Sequence, residues 1–168
     1  MTQLKRVVQI GLFAMACGLA VSAQARSDAS FLKQAAQNGN AEVEASKLAV
    51  TKAQNPEVKA FAEAMVAEHS KVASELQSLA ASKNVKLPDG PSVMQKTELK
   101  MINAGDDAKF DERYARNFGV KAHESTIKLF QEAAQNAKDA DVKAWAQKTL
   151  PSLQHHLEMA QALPPAKK

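Results

Sequence analysis

The stretch Glu57-Val58-Lys59-Ala60-Phe61-Ala62 recurs downstream as Asp141-Val142-Lys143-Ala144-Trp145-Ala146. In each copy the valine, the aromatic ring and the last alanine share one arc of a helix. A turn signal precedes each copy, Asn55-Pro56 in the first case and Asp139 in the second. The repeat therefore predicts two similar helical hairpins, with this motif opening the second helix of each. Alanine- and lysine-rich helices also resemble one another by composition alone, which is the alternative explanation.

The chain around the two copies is rich in helix-forming residues, and glycine and proline gather at the breaks. Four long helices and one short one are predicted: Ser30 (as N-cap) to Ala53, Pro56 to Lys83, Ser92 (as N-cap) to Asn103, Phe110 to Ala137, and Asp139 to Leu163 with Pro151 inside it. We therefore expect an all-α fold, a ferritin-like four-helix bundle of two hairpins with a long crossover containing a short helix. The bundle would span residues 26–163, and residues 164–168 would form a flexible tail.

The N-terminus predicts a secretory signal peptide over residues 1–25. Lys5 and Arg6 precede a short apolar run that ends in Ser22-Ala23-Gln24-Ala25, the pattern of a cleaved leader. An uncleaved anchor and lipidation at Cys17 are the alternatives. Cleavage would send the protein to the periplasm, with a possible envelope association, and would leave no segment apolar enough to span a membrane.

Cleavage also changes the composition. The formal charge of +4 falls to +2 when Lys5 and Arg6 leave, and the single cysteine, Cys17, leaves with them. Disulfides, thiolate metal ligands and a cysteine nucleophile are therefore excluded for the mature chain. The mild positive charge shows no Lys/Arg cluster, which argues against nucleic acid as a partner. A protein partner, a small ligand and the oligomeric state stay open.

Four polar residues fall on the apolar faces of the four long helices: Glu42, His69, His123 and His156. Each would cost free energy in a bundle core unless another group satisfied it. Glu42 and His69 stand at similar distances from the turn at Asn55, and His123 and His156 at similar distances from the turn at Asp139. The two members of each pair should therefore lie at the same level, and both pairs should lie near the middle of the bundle.

A carboxylate and three imidazoles at one level predict a site for a single transition metal, namely zinc, iron, nickel or copper. The ferritin di-iron centre is not expected, because it requires Glu-x-x-His on two helices. Met65 and Met159 stand near the histidines in sequence, which is the basis for a copper variant, although methionine at helical spacing is more often core filler. The alternative to any metal is a structural or interaction module whose core histidines form a metal-free polar network.

Other chemistry has little support in the sequence. A nucleophile elbow, a phosphate loop and a His-Glu-x-x-His motif are absent. Glu68-His69 and His123-Glu124 are adjacent pairs, and helix neighbours point about 100° apart, so neither is expected to form a dyad. An enzyme is the third possibility, since a metal with an open position could activate water or oxygen.

The same periodicity separates inward from outward positions. Glu44 and His155 are predicted to face outward, each beside a residue of the polar centre. Phe110 and Tyr114 fall off the apolar arc that the later part of their helix defines, so the start of that helix does not follow the same regular α-helical pattern.

Several motifs resemble the domain of unknown function family numbered 4142. They are Phe31-Leu32-Lys33-Gln34-Ala35-Ala36 with Ala41-Glu42-Val43-Glu44, Asn55 to Ala62, Met65-Val66 with Glu68-His69, and Leu150-Pro151-Ser152-Leu153 with His155-His156-Leu157. The resemblance covers nearly the whole mature chain, although members commonly have Asp at the position of Glu68. It implies a ferritin-like bundle in exported bacterial proteins, often labelled outer-membrane or membrane proteins, without an established activity. It also implies that Glu42, His69, His123 and His156 occupy the polar positions of the family.

The sequence thus predicts a periplasmic or envelope protein, related to binding or to stress, with a metal or polar site in the core of a helical bundle. An enzymatic activity is not favoured.

Overall fold

The computed structural model describes residues 27–164, which are almost entirely helical and contain no strand. The helices are α1 (Asp28–Lys52), α2 (Pro56–Ser82), α3 (Val93–Ala104), α4 (Phe110–Tyr114), α5 (Ala122–Asn136) and α6 (Ala140–Gln161), with a 3₁₀ turn at Asp107–Lys109 and a π-helical segment at Ala115–Lys121. The all-α prediction is confirmed. Within residues 27–164, no helix combines the length and apolar character needed to cross a bilayer. The predicted leader, with Cys17, and residues 165–168 lie outside the described residues.

The helix starts follow from capping side chains. Asn55, Ser92 and Asp139 each accept hydrogen bonds from backbone N–H groups in the first turn of α2, α3 and α6. The N-cap of α1 is Ser27, not Ser30 as the sequence predicted, because the Ser27 hydroxyl accepts a hydrogen bond from the Ser30 backbone N–H at 3.2 Å. Ser30 is therefore the donor in this cap.

Two hairpins form the bundle, and each holds the turn of the other. α1 packs along α2 and α5 along α6, while contacts of α1 with α5 and of α2 with α6 close the bundle. Asp28, at the start of α1, accepts a hydrogen bond from the Asp139 backbone N–H at 2.7 Å. Asp111, in α4, accepts one from the Asn55 backbone N–H, also at 2.7 Å. A carboxylate from each half of the chain thus holds the turn of the other half.

The π-helical segment changes which residues face the core in the helical stretch formed by α4, Ala115–Lys121 and α5. Ala122 donates its backbone N–H to the Asn117 carbonyl, five residues back. Such a turn takes up an extra residue and rotates everything before it relative to an unbroken α-helix. Phe110 and Tyr114 are therefore 0% and 1% exposed. An unbroken α-helix would place them off the apolar arc of α5, and this is why the start of the predicted helix did not fit the pattern of its later part.

The apolar core is divided into two clusters. The first contains Phe31, Phe130 and Trp145, with ring centroids 5.1 Å (Phe31–Phe130) and 5.2 Å (Phe130–Trp145) apart. The second contains Phe61 and Tyr114, whose centroids are 6.1 Å apart. Between the two clusters lies a level at which the bundle buries polar side chains.

Candidate metal centre

Glu42, His69, His123 and His156 all occupy the level where the two apolar clusters meet. Each is flanked on its own helical stretch by one residue of each cluster: Ala36 and Ala45 around Glu42, Leu76 and Met65 around His69, Ile127 and Phe118 around His123, and Leu153 and Ala160 around His156. The four side chains are between 1% and 4% exposed. The structure thus brings together the four residues that the sequence singled out, and buries them.

The distances at this centre are short. Glu42 Oε2 lies 2.8 Å from His69 Nε2 and 3.6 Å from His123 Nε2. The three imidazole rings are mutual neighbours, with centroids 5.1, 5.4 and 5.5 Å apart. One nitrogen from each of His69, His123 and His156 lies within 4.8 Å of the other two, so the three rings could hold a metal ion.

The π-helical segment fixes the orientation of His123. Nδ1 of His123 lies 2.8 Å from the Gly119 carbonyl oxygen and 3.1 Å from that of Phe118. A carbonyl oxygen can only accept a hydrogen bond, so Nδ1 carries the proton and donates it. In the neutral ring, Nε2 is then the bare nitrogen, and this is the atom that lies near Glu42.

A carboxylate from outside the predicted set fixes His156. The Nε2–H of His156 donates to Glu68 Oε2 at 2.7 Å, because a carboxylate only accepts. The Nδ1 atom, which is buried and has no hydrogen-bond partner, is left with its lone pair. A carboxylate that holds the outer nitrogen of an inward-facing imidazole is the usual second contact of a metal-bound histidine.

Sequence reasoning missed the role of Glu68. The sequence pairs Glu68 only with its neighbour His69, and two adjacent residues on a helix do not face each other. The contact runs instead from α2 across to His156 on α6, and the Glu68 side chain stays 44% exposed. The sequence did contain a signal for this contact, namely the position of Glu68 along the bundle axis. Glu68 is one residue from His69 and therefore lies at about the same level as His156 on the neighbouring helix.

The electrostatics of the centre favour a negative Glu42. Burial raises the pKa of the Glu42 carboxyl, but the imidazoles of His69, His123 and His156 outweigh it, and the pKa falls below its ordinary value. Burial lowers the pKa of His69, yet the Glu42 charge outweighs this and raises it. For His156 burial prevails over the Glu68 hydrogen bond, and the pKa is lowered. The same hydrogen bond from His156 lowers the pKa of Glu68.

Five buried atoms at the centre have no hydrogen-bond partner: both oxygens of Glu42, Nε2 of His69, Nε2 of His123 and Nδ1 of His156. Glu42 Oε2 and His69 Nε2 are 2.8 Å apart, which is the distance of an ion pair. With His123 and His156 neutral, four of the five atoms are acceptors, and only His69 Nε2 can carry a proton. Buried acceptors that face one another need a donor or a cation.

The spacing of the centre is close to that of a metal site. Ligands bound to zinc at tetrahedral geometry lie about 3.3 Å from one another, compared with 3.6 Å between Glu42 and His123 and at most 4.8 Å among the imidazole nitrogens. Small side-chain rotations would draw the ligand atoms onto an ion. Three imidazole nitrogens and one carboxylate are ligands that zinc, iron, nickel and copper accept.

The neighbouring polar residues face away as expected. Glu44 is exposed, and the His155 side chain is 65% exposed, 4.0 Å from Glu158. Met65 and Met159 pack in or against the second apolar cluster. A contribution of their thioethers to copper binding stays a prediction.

A family model described as "Domain of unknown function (DUF4142)" matches residues 16–163 of the chain. The resemblance inferred from the sequence motifs is thereby confirmed. No curated protein and no solved structure matches the chain. The family description names no ligand and no reaction, so any function has to be inferred from the site itself.

Proposed function

The chain belongs to the DUF4142 family, and from that premise we propose that it is an exported helical-bundle protein that binds one transition-metal ion in its core. The ligands are Glu42, His69, His123 and His156. The observation that carries this proposal is the set of five buried atoms without hydrogen-bond partners, on four side chains that lie within a few ångströms of one another. Export is supported by the leader-like pattern of residues 1–25 and is part of the proposal.

The orientation of the two outer imidazoles supports a metal over hydrogen bonding alone. The carbonyls behind His123 and the Glu68 carboxylate behind His156 both turn a bare nitrogen toward the centre. A divalent ion with three neutral imidazoles and the Glu42 carboxylate carries a net charge of +1. Lone pairs that now face one another would instead face the cation, which attracts them. The positive charge of the ion would also offset the buried negative charge of Glu42.

The ligand set narrows the metal to zinc, iron, nickel or copper. Nitrogen donors suit all four ions, and four protein ligands match a tetrahedral site. A ferritin-type di-iron centre is not proposed, because only one carboxylate, Glu42, faces the centre among the described residues. A role in the envelope, including stress, fits a buried single-metal site in an exported protein.

A metal-free polar network is the second candidate, and a specific observation favours it. Glu42 and His69 are 2.8 Å apart, with the pKa of the acid lowered and that of the base raised. A buried ion pair between them would satisfy part of the centre in a purely structural or interaction module. It would leave the inward nitrogens of His123 and His156 without donors, which is why we prefer the metal.

The test is metal content and metal-dependent stability. We would express the full chain, purify it from the periplasm without a histidine tag, and measure metals by elemental analysis. After chelator treatment, zinc, iron, nickel and copper are added back one at a time while the melting temperature is recorded. At a free metal concentration of 100 times the Kd, binding stabilises by about 2.7 kcal/mol, which raises the melting temperature by about 5–10 °C.

Two variants separate the centre from ordinary surface histidines. His123→Ala should abolish the metal-dependent shift, whereas His155→Ala, which removes an exposed imidazole, should retain it. A protein that purifies without metal and whose melting temperature does not respond to any of the four ions would refute the metal site and favour the metal-free network. Mass spectrometry of the purified chain tests cleavage after Ala25.

A further inference from the structure

An apolar chamber of about 470 Å³ adjoins the polar centre. α1, α2, α5 and α6 form its walls, and the crossover over residues 85–89 covers one side. Glu42 and His69 are the two residues of the centre that line it. The chamber therefore reaches from the crossover to the proposed metal ligands.

The lining of this chamber has the composition of a small-molecule site. Its apolar walls include Leu76, Phe130, Trp145 and Leu153. Polar groups occur at the inner end, where Glu42 and His69 lie, and around Gln77, Lys86 and Asp89. Pockets that bind small molecules are commonly about 300–1,000 Å³, mostly apolar, with a few placed polar groups. The chamber fits this description.

The chamber opens to solvent beside α2. Ala73, Gln77 and Ala81 line it and are exposed. A ligand can therefore enter between α2 and the crossover without separating the long helices. The route is short, because Ala73 is one helical turn from His69.

Charge defines the head group that suits the inner end. A divalent ion with Glu42 and three neutral imidazoles leaves a net charge of +1, which a single negative charge neutralises. Zinc and related ions can accept a fifth ligand, and an oxygen donor suits them. The apolar walls then select an uncharged hydrocarbon body.

We propose that the chamber binds a small amphiphile, with a hydrocarbon body along Leu76 and Trp145 and a monoanionic oxygen head group on the metal beside Glu42 and His69. This inference rests on the proposed function, because the metal holds the head group. The ligand class is that of medium-chain carboxylates. The body gains by burial of apolar surface, so affinity rises with each methylene until the chamber is full.

The probe is octanoate, and the readout is intrinsic. Trp145 is the only tryptophan in the chain, lines the chamber and is 8% exposed. Its fluorescence is followed while zinc-loaded protein is titrated with butanoate, hexanoate and octanoate. Each methylene buried in the chamber should tighten binding about fourfold. Zinc-free protein should bind octanoate at least tenfold more weakly, and 1-octanol, which lacks the charge, should bind zinc-loaded protein equally weakly.

Two exposed alanines of α2 provide a matched pair of variants. Ala73→Phe places a ring at the mouth of the chamber, while Ala60→Phe adds the same ring at an exposed position outside the lining. Ala73→Phe should lower the affinity for octanoate at least tenfold, whereas Ala60→Phe should leave the affinity unchanged. Both should keep zinc, because neither residue belongs to the metal centre.

The outcomes separate this inference from the proposed function. If zinc binds but affinity for the carboxylates is independent of chain length, the chamber is not the binding site. If octanoate binds equally with and without zinc, the head group is not on the metal. If none of zinc, iron, nickel and copper binds, as titration of the same protein with each ion would show, the proposed function falls, and this inference falls with it.

Discussion

We expect Glu68→Gln to weaken zinc binding while leaving the metal-free protein folded. Glu68 does not face the centre but accepts the His156 Nε2–H at 2.7 Å, and thereby turns Nδ1 inward. Glutamine keeps an acceptor oxygen but loses the negative charge. The charge makes the imidazole a better donor of electrons to a metal and fixes its tautomer.

The size of the effect follows from the geometry. Loss of such a second contact typically costs about 10- to 100-fold in metal affinity, and we expect Glu68→Gln near tenfold, since the acceptor survives. Glu68→Ala removes the acceptor as well and should approach 100-fold. The Glu68 side chain is 44% exposed, so solvent screens its interaction and the metal-free protein should lose at most about 1 kcal/mol.

Glu75→Gln is the matched control. The Glu75 side chain is 46% exposed on the same helix, and it also reaches α6, where Lys148 Nζ lies 3.0 Å from its Oε1. The two variants remove the same charge from a comparable position. Zinc affinity is measured by competition with a chromophoric chelator, and stability of the chelator-treated protein by urea unfolding. Equal zinc affinities in Glu68→Gln and Glu75→Gln would refute the argument that Glu68 supports a metal ligand.

Two further predictions concern packing around the centre. His156→Ala should lower the free energy of unfolding, measured in urea, by about 2–4 kcal/mol, because it leaves a cavity at a buried site. His155→Ala, which removes the exposed neighbouring imidazole, should change the free energy of unfolding by at most about 0.5 kcal/mol. A larger loss for His155→Ala than for His156→Ala would contradict the face assigned to α6. Gly119→Ala should destabilise by about 1–3 kcal/mol, since its Cβ would lie 3.1 Å from the Ala160 Cβ. Gly39→Ala, where a Cβ meets nothing within 4 Å, should stabilise by about 0.5–1 kcal/mol, and a gain of stability in both variants would contradict the close approach at Gly119.

The level and direction of the centre could be predicted because both depend only on regular helices. Counting residues from Asn55 and from Asp139 gives height, and a period of about 3.6 residues gives direction. Both counts run through unbroken α-helix for Glu42, His69 and His156. For His123 the count starts at Asp139 and ends before the π-helical segment is reached, so it too stays accurate.

The remaining features depend on departures from regular helix or on long side chains. The burial of Phe110 and Tyr114 follows from an extra residue in the turn at Ala115–Lys121, which periodicity alone does not register. The contact of Glu68 with His156 depends on the reach of a glutamate between two helices. Neither is encoded in the spacing of residues along one helix, and both bear directly on how the imidazoles are held.

The holding groups themselves argue for a cation at the centre. A network built only from hydrogen bonds would gain if His123 carried its proton on Nε2, because that proton would point toward Glu42. The carbonyls of Gly119 and Phe118 instead place the proton on Nδ1. On α6 a different device, the Glu68 carboxylate, likewise draws the His156 proton to the outer nitrogen. Two unrelated contacts thus remove donors from the side that faces the Glu42 carboxylate, and lone pairs directed at one point are what a metal ion requires.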